Sequence, residues 1–183
     1  MRRSLMLSLA LLTLGIWQSA TGQTSPTFAD MSAVTQRAAE AYFSAYIARD
    51  WDALAPHLAD SGSFTDPTAE PVFGLVAVSG KIATLKYFRQ NYAAIKAMQF
   101  NRTRAYFSGA HAVFEGTLDW TLTLDSGKDV ETRGMPFVTI LRLDGDQVVD
   151  HRDFADYQPF IEAYRQVNVV EPSSDGETDP ADR

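Results

Sequence analysis

The sequence predicts an α+β domain in which N-terminal helices pack on one face of a curved antiparallel sheet. Two observations carry this. Up to Ala97 the apolar residues recur at helical spacing; beyond it they alternate with polar ones, the period of a half-buried strand. The alternating stretches, 98–107, 111–124, 130–143 and 147–154, are joined by Ser108-Gly109, Asp125-Ser126-Gly127 and Asp144-Gly145-Asp146, and links this short join antiparallel neighbours. Helices first and a meander after them segregate into two layers.

The chain has 183 residues, the length of one domain. Its start reads as an export signal: Arg2 and Arg3, an apolar run from Leu5 to Ile16, then small residues at Ala20-Thr21-Gly22, with cleavage expected after Gly22. A retained anchor is the alternative, but the run is shorter than the roughly 20 apolar residues a membrane span needs. A periplasmic or secreted protein follows, with no membrane partner once the signal is removed. Residues 23–31 read as a linker, 32–167 as the domain and 168–183 as a disordered tail. From Glu171 to Arg183 the tail holds five acids and one base among Pro, Ser and Gly, too polar to join a core.

Ser32 is the expected cap of a first helix running to about Arg49. Val34, Ala38, Ala41, Ala45 and Ala48 form one stripe, Phe43 and Ile47 another, and Tyr42 and Tyr46 lie one turn apart. Asp50 caps a short second helix with Trp51, Leu54 and Leu58. Residues 63–66 form a short strand that Pro67 terminates, because proline lacks a ladder donor. Ser79 is the expected cap of a third helix with Ile82, Leu85, Phe88 and Tyr92 on one face. In the strand 111–124, Ala112, Phe114, Gly116, Leu118, Trp120, Leu122 and Leu124 point one way, and His111, Val113, Glu115, Thr117, Asp119, Thr121 and Thr123 the other. Gln158-Pro159 opens a last short helix.

Composition narrows the function. There is no cysteine, which removes disulfides and thiolate chemistry. The 45% hydrophobic content must therefore stabilise the fold through a core alone. A net charge of −7, more negative still without Arg2 and Arg3, argues against nucleic acid and anionic membranes as partners. His57, His111 and His151 show no ligand spacing, so no metal is expected. No phosphate loop or nucleophile elbow is present, and no cofactor is expected.

The element order, with "ARDWDALAPHLADSGSFTDP" (48–67) and "GDQVVDHRDFADY" (145–157), resembles the nuclear-transport-factor-2-like superfamily, which includes ketosteroid isomerases, SnoaL-like polyketide cyclases and limonene-epoxide hydrolases. The resemblance spans roughly residues 32–167. It implies a cone-shaped sheet wrapped around the helices, with an apolar pocket walled here by Trp51, Phe88, Tyr92, Trp120 and His151. It also implies candidate chemistry, although a fold of this kind hosts many activities.

By resemblance to the isomerases, Asp66, before Pro67, would shuttle a proton and Tyr42 would donate to a developing enolate oxygen. A carboxylate in an apolar pocket gains basicity, and a buried hydroxyl stabilises charge where it appears; ketosteroid isomerase is the standard worked case of such tuning. The isomerases' second acid is missing: the nearest positions are Val138 and Thr139, and no acid lies between Glu131 and Asp144. The plain alternative for Asp66 is an acid that satisfies a turn. By resemblance to the cyclases, Asp153 or Asp156 in "HRDFAD" would act as acid or base, Asp153 being preferred because it shares a strand face with His151; an ion pair with Arg152 or Arg142 is its alternative. By resemblance to the epoxide hydrolases, Thr117 and Asp119 occupy the places of an arginine and an aspartate, so the arginine is absent. Asp119 also falls on the polar face unless a bulge at Gly116 turns it.

Two expectations follow. One is a cofactor-independent isomerase or cyclase, with Asp66 or Asp153 as base and Tyr42 as donor, acting on a small, mostly apolar carbonyl compound. The other is a non-catalytic binding or accessory protein using the same pocket. A homodimer through the outer sheet face is expected from the family.

Overall fold

The computed structural model describes residues 25–168. The expected export signal and the acidic tail beyond Asn168 lie outside the described residues. Helix α1 (Phe28–Ala48) begins inside the segment read as a linker, four residues before Ser32. The reason is a capping box. The Thr27 hydroxyl accepts from the Asp30 N–H, and the Asp30 carboxylate accepts from the Thr27 N–H. Ser32 is used otherwise: its hydroxyl donates to the Phe28 carbonyl and accepts from the Gly109 N–H. The buried face of α1 runs through Thr35, Ala38, Ala39, Tyr42, Phe43, Ala45 and Tyr46, while Ala41 and Ala48 face solvent. The larger side chains, not the alanine stripe, choose the face, because they remove more apolar area from water.

Asp50 caps α2 (Trp51–Leu54) as expected, accepting from the Ala53 N–H at 2.9 Å. Strand β1 (Leu58–Asp66) is longer than expected and ends at Pro67. A single 3-10 turn, α3 (Glu70–Phe73) and β2 (Val76–Ser79) then follow where the sequence carried no readable period. Ser79 closes β2 and does not cap α4 (Lys81–Asn91); the chain turns at Gly80, with φ at +87°, where a side chain would be strained. The meander β3 (Ile95–Ser108), β4 (His111–Thr123), β5 (Asp129–Asp144) and β6 (Gln147–Ala155) leads to α5 (Gln158–Asn168).

The sheet order is β2-β1-β6-β5-β4-β3. The meander is antiparallel, as expected, but β1 pairs parallel with β6, with Phe64 opposite His151, so the sheet is mixed. Everything from α3 to β5 lies between these two strands, a connection long enough for a parallel crossover. Edges β2 and β3 stay unpaired, and bulges in the β3–β4, β4–β5 and β5–β6 ladders bend the sheet over the helices. The core lies in this concavity. Phe43 of α1 stacks on Phe114 of β4 with ring centroids 4.2 Å apart, and Tyr46 packs against Phe64 and Phe88.

Gly116 lies beside the β3–β4 bulge, where a Cβ would overlap the Asn101 carbonyl. Gly116→Ala should therefore destabilise the protein by about 1–3 kcal/mol in urea denaturation. An unchanged midpoint would show that the two strands are not this close.

Candidate functional site

Sheet curvature brings residues from both ends of the sheet to one cavity of about 250 Å³. Phe64 and Asp66 come from β1, Val76 from β2, Ile95 from β3, and Trp120 and Leu122 from β4; Phe73, Tyr87, Asn91, Tyr92 and Tyr157 close it. An engineered apolar cavity of about 150 Å³ accepts benzene, so this one suits a molecule of one or two rings. Phe73 and Leu75 are 48% and 76% exposed and form an apolar lip.

Asp66 is the cavity's acid. Its Oδ1 accepts from the Thr68 N–H (3.0 Å), the Thr68 hydroxyl (2.6 Å) and the Ala69 N–H (3.0 Å), capping the turn after Pro67. Its Oδ2 accepts from the Tyr157 hydroxyl at 2.6 Å. Burial raises the Asp66 carboxyl above its ordinary range, against the lowering effect of the Thr68 and Tyr157 hydrogen bonds; the charge of Asp153 also raises it. Burial and the adjacent Asp66 charge raise the Tyr157 phenol far above its usual value, so it remains a donor.

Behind the cavity wall lies a second polar cluster. The Asp153 carboxylate, 1% exposed, accepts from Tyr46 (2.6 Å), from Thr139 (2.6 Å) and from His151 Nε2 (2.9 Å). His151 Nδ1 meets the Tyr42 hydroxyl at 3.0 Å, and the Tyr46 and Tyr92 hydroxyls lie 2.6 Å apart. Burial first, then the Asp153 charge, raises the phenols of Tyr42, Tyr46 and Tyr92 well above their ordinary range.

The structure thus divides the expected site. Asp66, Tyr92 and Trp120 line the cavity. Tyr42, Asp153 and His151 do not: they are core residues joined to one another, and α1 turns the Tyr42 hydroxyl toward His151 instead of Asp66. Trp51 and Phe88 stack on each other (centroids 5.1 Å apart) and pack around Tyr46 outside the cavity lining. Asp66 and Tyr42 therefore do not face one cavity as expected, and Asp66 takes the turn-capping role given as its alternative. The alternative for Asp153, an ion pair with Arg152 or Arg142, does not form: its oxygens are taken by Tyr46, Thr139 and His151, and Arg152 pairs with Asp150. Asp156, the other candidate, is exposed and accepts from the Gln158 N–H. Asp119 keeps to the polar face, accepting from the Gly134 N–H in the β5 bulge and from Asn101.

Sequence reasoning missed Tyr157, Tyr87, Thr68 and the role of Tyr46. The signal for Tyr46 was its place one turn after Tyr42. That for Asp153 was Thr139, its cross-strand partner, which stands where an acid was sought. Among the described residues no group of three His, Asp or Glu side chains is arranged to hold a metal ion, and no helix is long and apolar enough to cross a membrane.

A curved, unclosed sheet wrapped over one long helix defines the α+β cone of the nuclear-transport-factor-2-like proteins. Within that class, the chain belongs to the SnoaL-like domain family, whose pattern matches residues 39–151. A candidate SnoaL-like polyketide cyclase from Shewanella denitrificans is 19% identical, with a TM-score of 0.64 over 73% of this chain and 98% of its own. An LEH-like epoxide hydrolase of M. tuberculosis is 18% identical, with a TM-score of 0.56 over 74% of this chain and 92% of its own. A phenazine biosynthesis-related protein of Pseudomonas aeruginosa is 11% identical, with a TM-score of 0.61 over 81% of this chain and 97% of its own. At these identities the likeness is one of fold. No curated protein sequence matches the chain.

The raised Asp66 carboxyl gives a signed expectation. Its contribution to stability is present below the ordinary value of 3.8 and is lost as pH rises through the raised folded-state value. The stability of the wild type relative to Asp66→Asn should therefore decline on going from pH 3.5 to 7 in urea denaturation. A difference that stays constant or grows would contradict this.

Proposed function

We propose that this protein binds a small, mostly apolar molecule in the cavity between the two sheet edges, and that it does so after export, with its mature chain beginning at Gln23. The observation that carries the reading is a cavity of about 250 Å³, walled mainly by aromatic and aliphatic side chains, with one carboxylate at Asp66. Such a mixture, apolar walls with a few placed polar groups, is what small-molecule sites are made of. Mass spectrometry of the protein taken from its host under native conditions tests it. A polypeptide starting at Gln23 should carry a bound small molecule, and Asn91→Trp, which narrows the mouth from an exposed position, should carry less. Wild type that is empty, or a variant equally loaded, would remove the proposal.

A second reading, proton transfer by Asp66, is favoured by one observation. Three donors occupy Oδ1, whereas Oδ2 meets only Tyr157 and keeps a position for a proton. Against an enolate reaction, the donor sought at Tyr42 is spent on His151. If proton transfer occurs, a ligand recovered from the protein and returned to it in D₂O should exchange a carbon-bound hydrogen. Asp66→Asn should slow that exchange by about 100-fold or more. Equal exchange in the two proteins would leave Asp66 with a binding role only.

A further inference from the structure

The direction of the hydrogen bonds around the cavity says what kind of ligand it takes. A tyrosine has one hydroxyl proton. That of Tyr157 is given to Asp66 Oδ2. That of Tyr46 is given to the Asp153 carboxylate, so the 2.6 Å contact between Tyr46 and Tyr92 must be made with the proton of Tyr92. Tyr92, a lining residue, therefore gives its proton to Tyr46, as Tyr157 gives its own to Asp66, and neither phenol has a proton left for a ligand. Asp66, Tyr92 and Tyr157 together present acceptors and no donors.

The remaining lining agrees. It contains one acid and no Lys, Arg or His. The Trp120 indole N–H is buried without a partner and presents no surface to the cavity. Only Asn91 and Tyr87 retain free donors. An anionic ligand would meet Asp66 with no cation to offset it, and a carbonyl placed beside Asp66, Tyr92 and Tyr157 would find its oxygen facing acceptors; each leaves polar groups unpaired at a cost of about 1–3 kcal/mol. An ammonium group reverses every one of these terms. Its N–H donors match the acceptors, its charge offsets Asp66, and aromatic side chains, which line the cavity at Phe73, Tyr87, Tyr92 and Trp120, attract cations.

We propose that the ligand is a small organic cation, a protonated amine carried on one or two rings, with its nitrogen held by Asp66, Tyr92 and Tyr157. This rests on the reading of the cavity as a ligand site and names the class of molecule it takes. Burial, which holds the Asp66 carboxyl above its usual range, is then offset by the ligand's own charge.

Calorimetric titration with three compounds of one shape tests it: benzylamine, benzyl alcohol and benzoate at pH 7. Benzylamine should bind at least about tenfold more tightly than benzyl alcohol, with benzoate weakest. In Asp66→Asn, once circular dichroism shows that it is folded, the amine and the alcohol should come within about threefold of each other. Because Asp66 also caps a turn, Tyr157→Phe provides a second arm: it keeps the carboxylate and removes one of the three acceptors. Benzylamine should then bind more weakly than to the wild type yet still more tightly than benzyl alcohol, and loss of that order would count against the inference. Benzyl alcohol binding as well as benzylamine, or benzoate binding better than either, overturns the inference while leaving the cavity a ligand site. Failure of all three compounds to bind overturns the inference and counts against the cavity reading as well.

Discussion

The Asp153 carboxylate is the point on which the other arrangements depend. A buried charge is tolerated only when its lone pairs are met by donors, and charge-assisted bonds are about twice as strong as neutral ones. Here the donors come from three elements: Tyr46 from α1, Thr139 from β5, and His151 from the same face of β6 as Asp153 itself. Tyr92, at the end of α4, joins through Tyr46. One acid thus fixes the long helix against the middle of the sheet and sets the end of α4 in place. Removing a member would leave a carboxylate short of donors inside an aromatic core, and networks of this kind lose more than one bond when broken.

The cavity follows from the same geometry. With α1 anchored over β5 and β6, the sheet bends around it, and residues of its two edge strands, Val76 of β2 and Ile95 of β3, line one cavity with Asn91 and Tyr92 at the C-terminal end of α4. The aromatic residues that fill the concavity near Asp153 give way there to an opening ringed by Phe73, Tyr87, Trp120 and Tyr157. The anchor also reaches the cavity through proton direction. Because Asp153 takes the Tyr46 proton, Tyr46 takes that of Tyr92, and a phenol that could have been a donor becomes an acceptor.

The change of period at Ala97, the turn chemistry between strands and the alternation in β4 made the meander legible, since each is a local property of the chain. The parallel pairing of β1 with β6, and the segment 67–79, were not. That pairing joins residues almost ninety positions apart, and α3 and β2 are too short to show a period. For the site, residue types were legible and orientations were not. Tyr42, Asp66 and Asp153 are all buried, but whether Tyr42 shares a cavity with either acid depends on the rotation of α1 about its axis. That rotation is set by Tyr46 meeting Asp153, a contact between residues 107 apart in sequence. Asp66 is the case in which both readings hold: one oxygen caps the turn, and the other is turned to Tyr157 at the cavity.

The direction of the phenolic protons is the central claim, and neutron diffraction from perdeuterated crystals observes it. Deuterons should lie on Tyr92 pointing to Tyr46, on Tyr46 pointing to Asp153, and on Tyr157 pointing to Asp66 Oδ2. A Tyr92 deuteron not directed to Tyr46, or a Tyr157 deuteron not directed to Asp66, would leave that phenol a donor for the ligand and contradict the account.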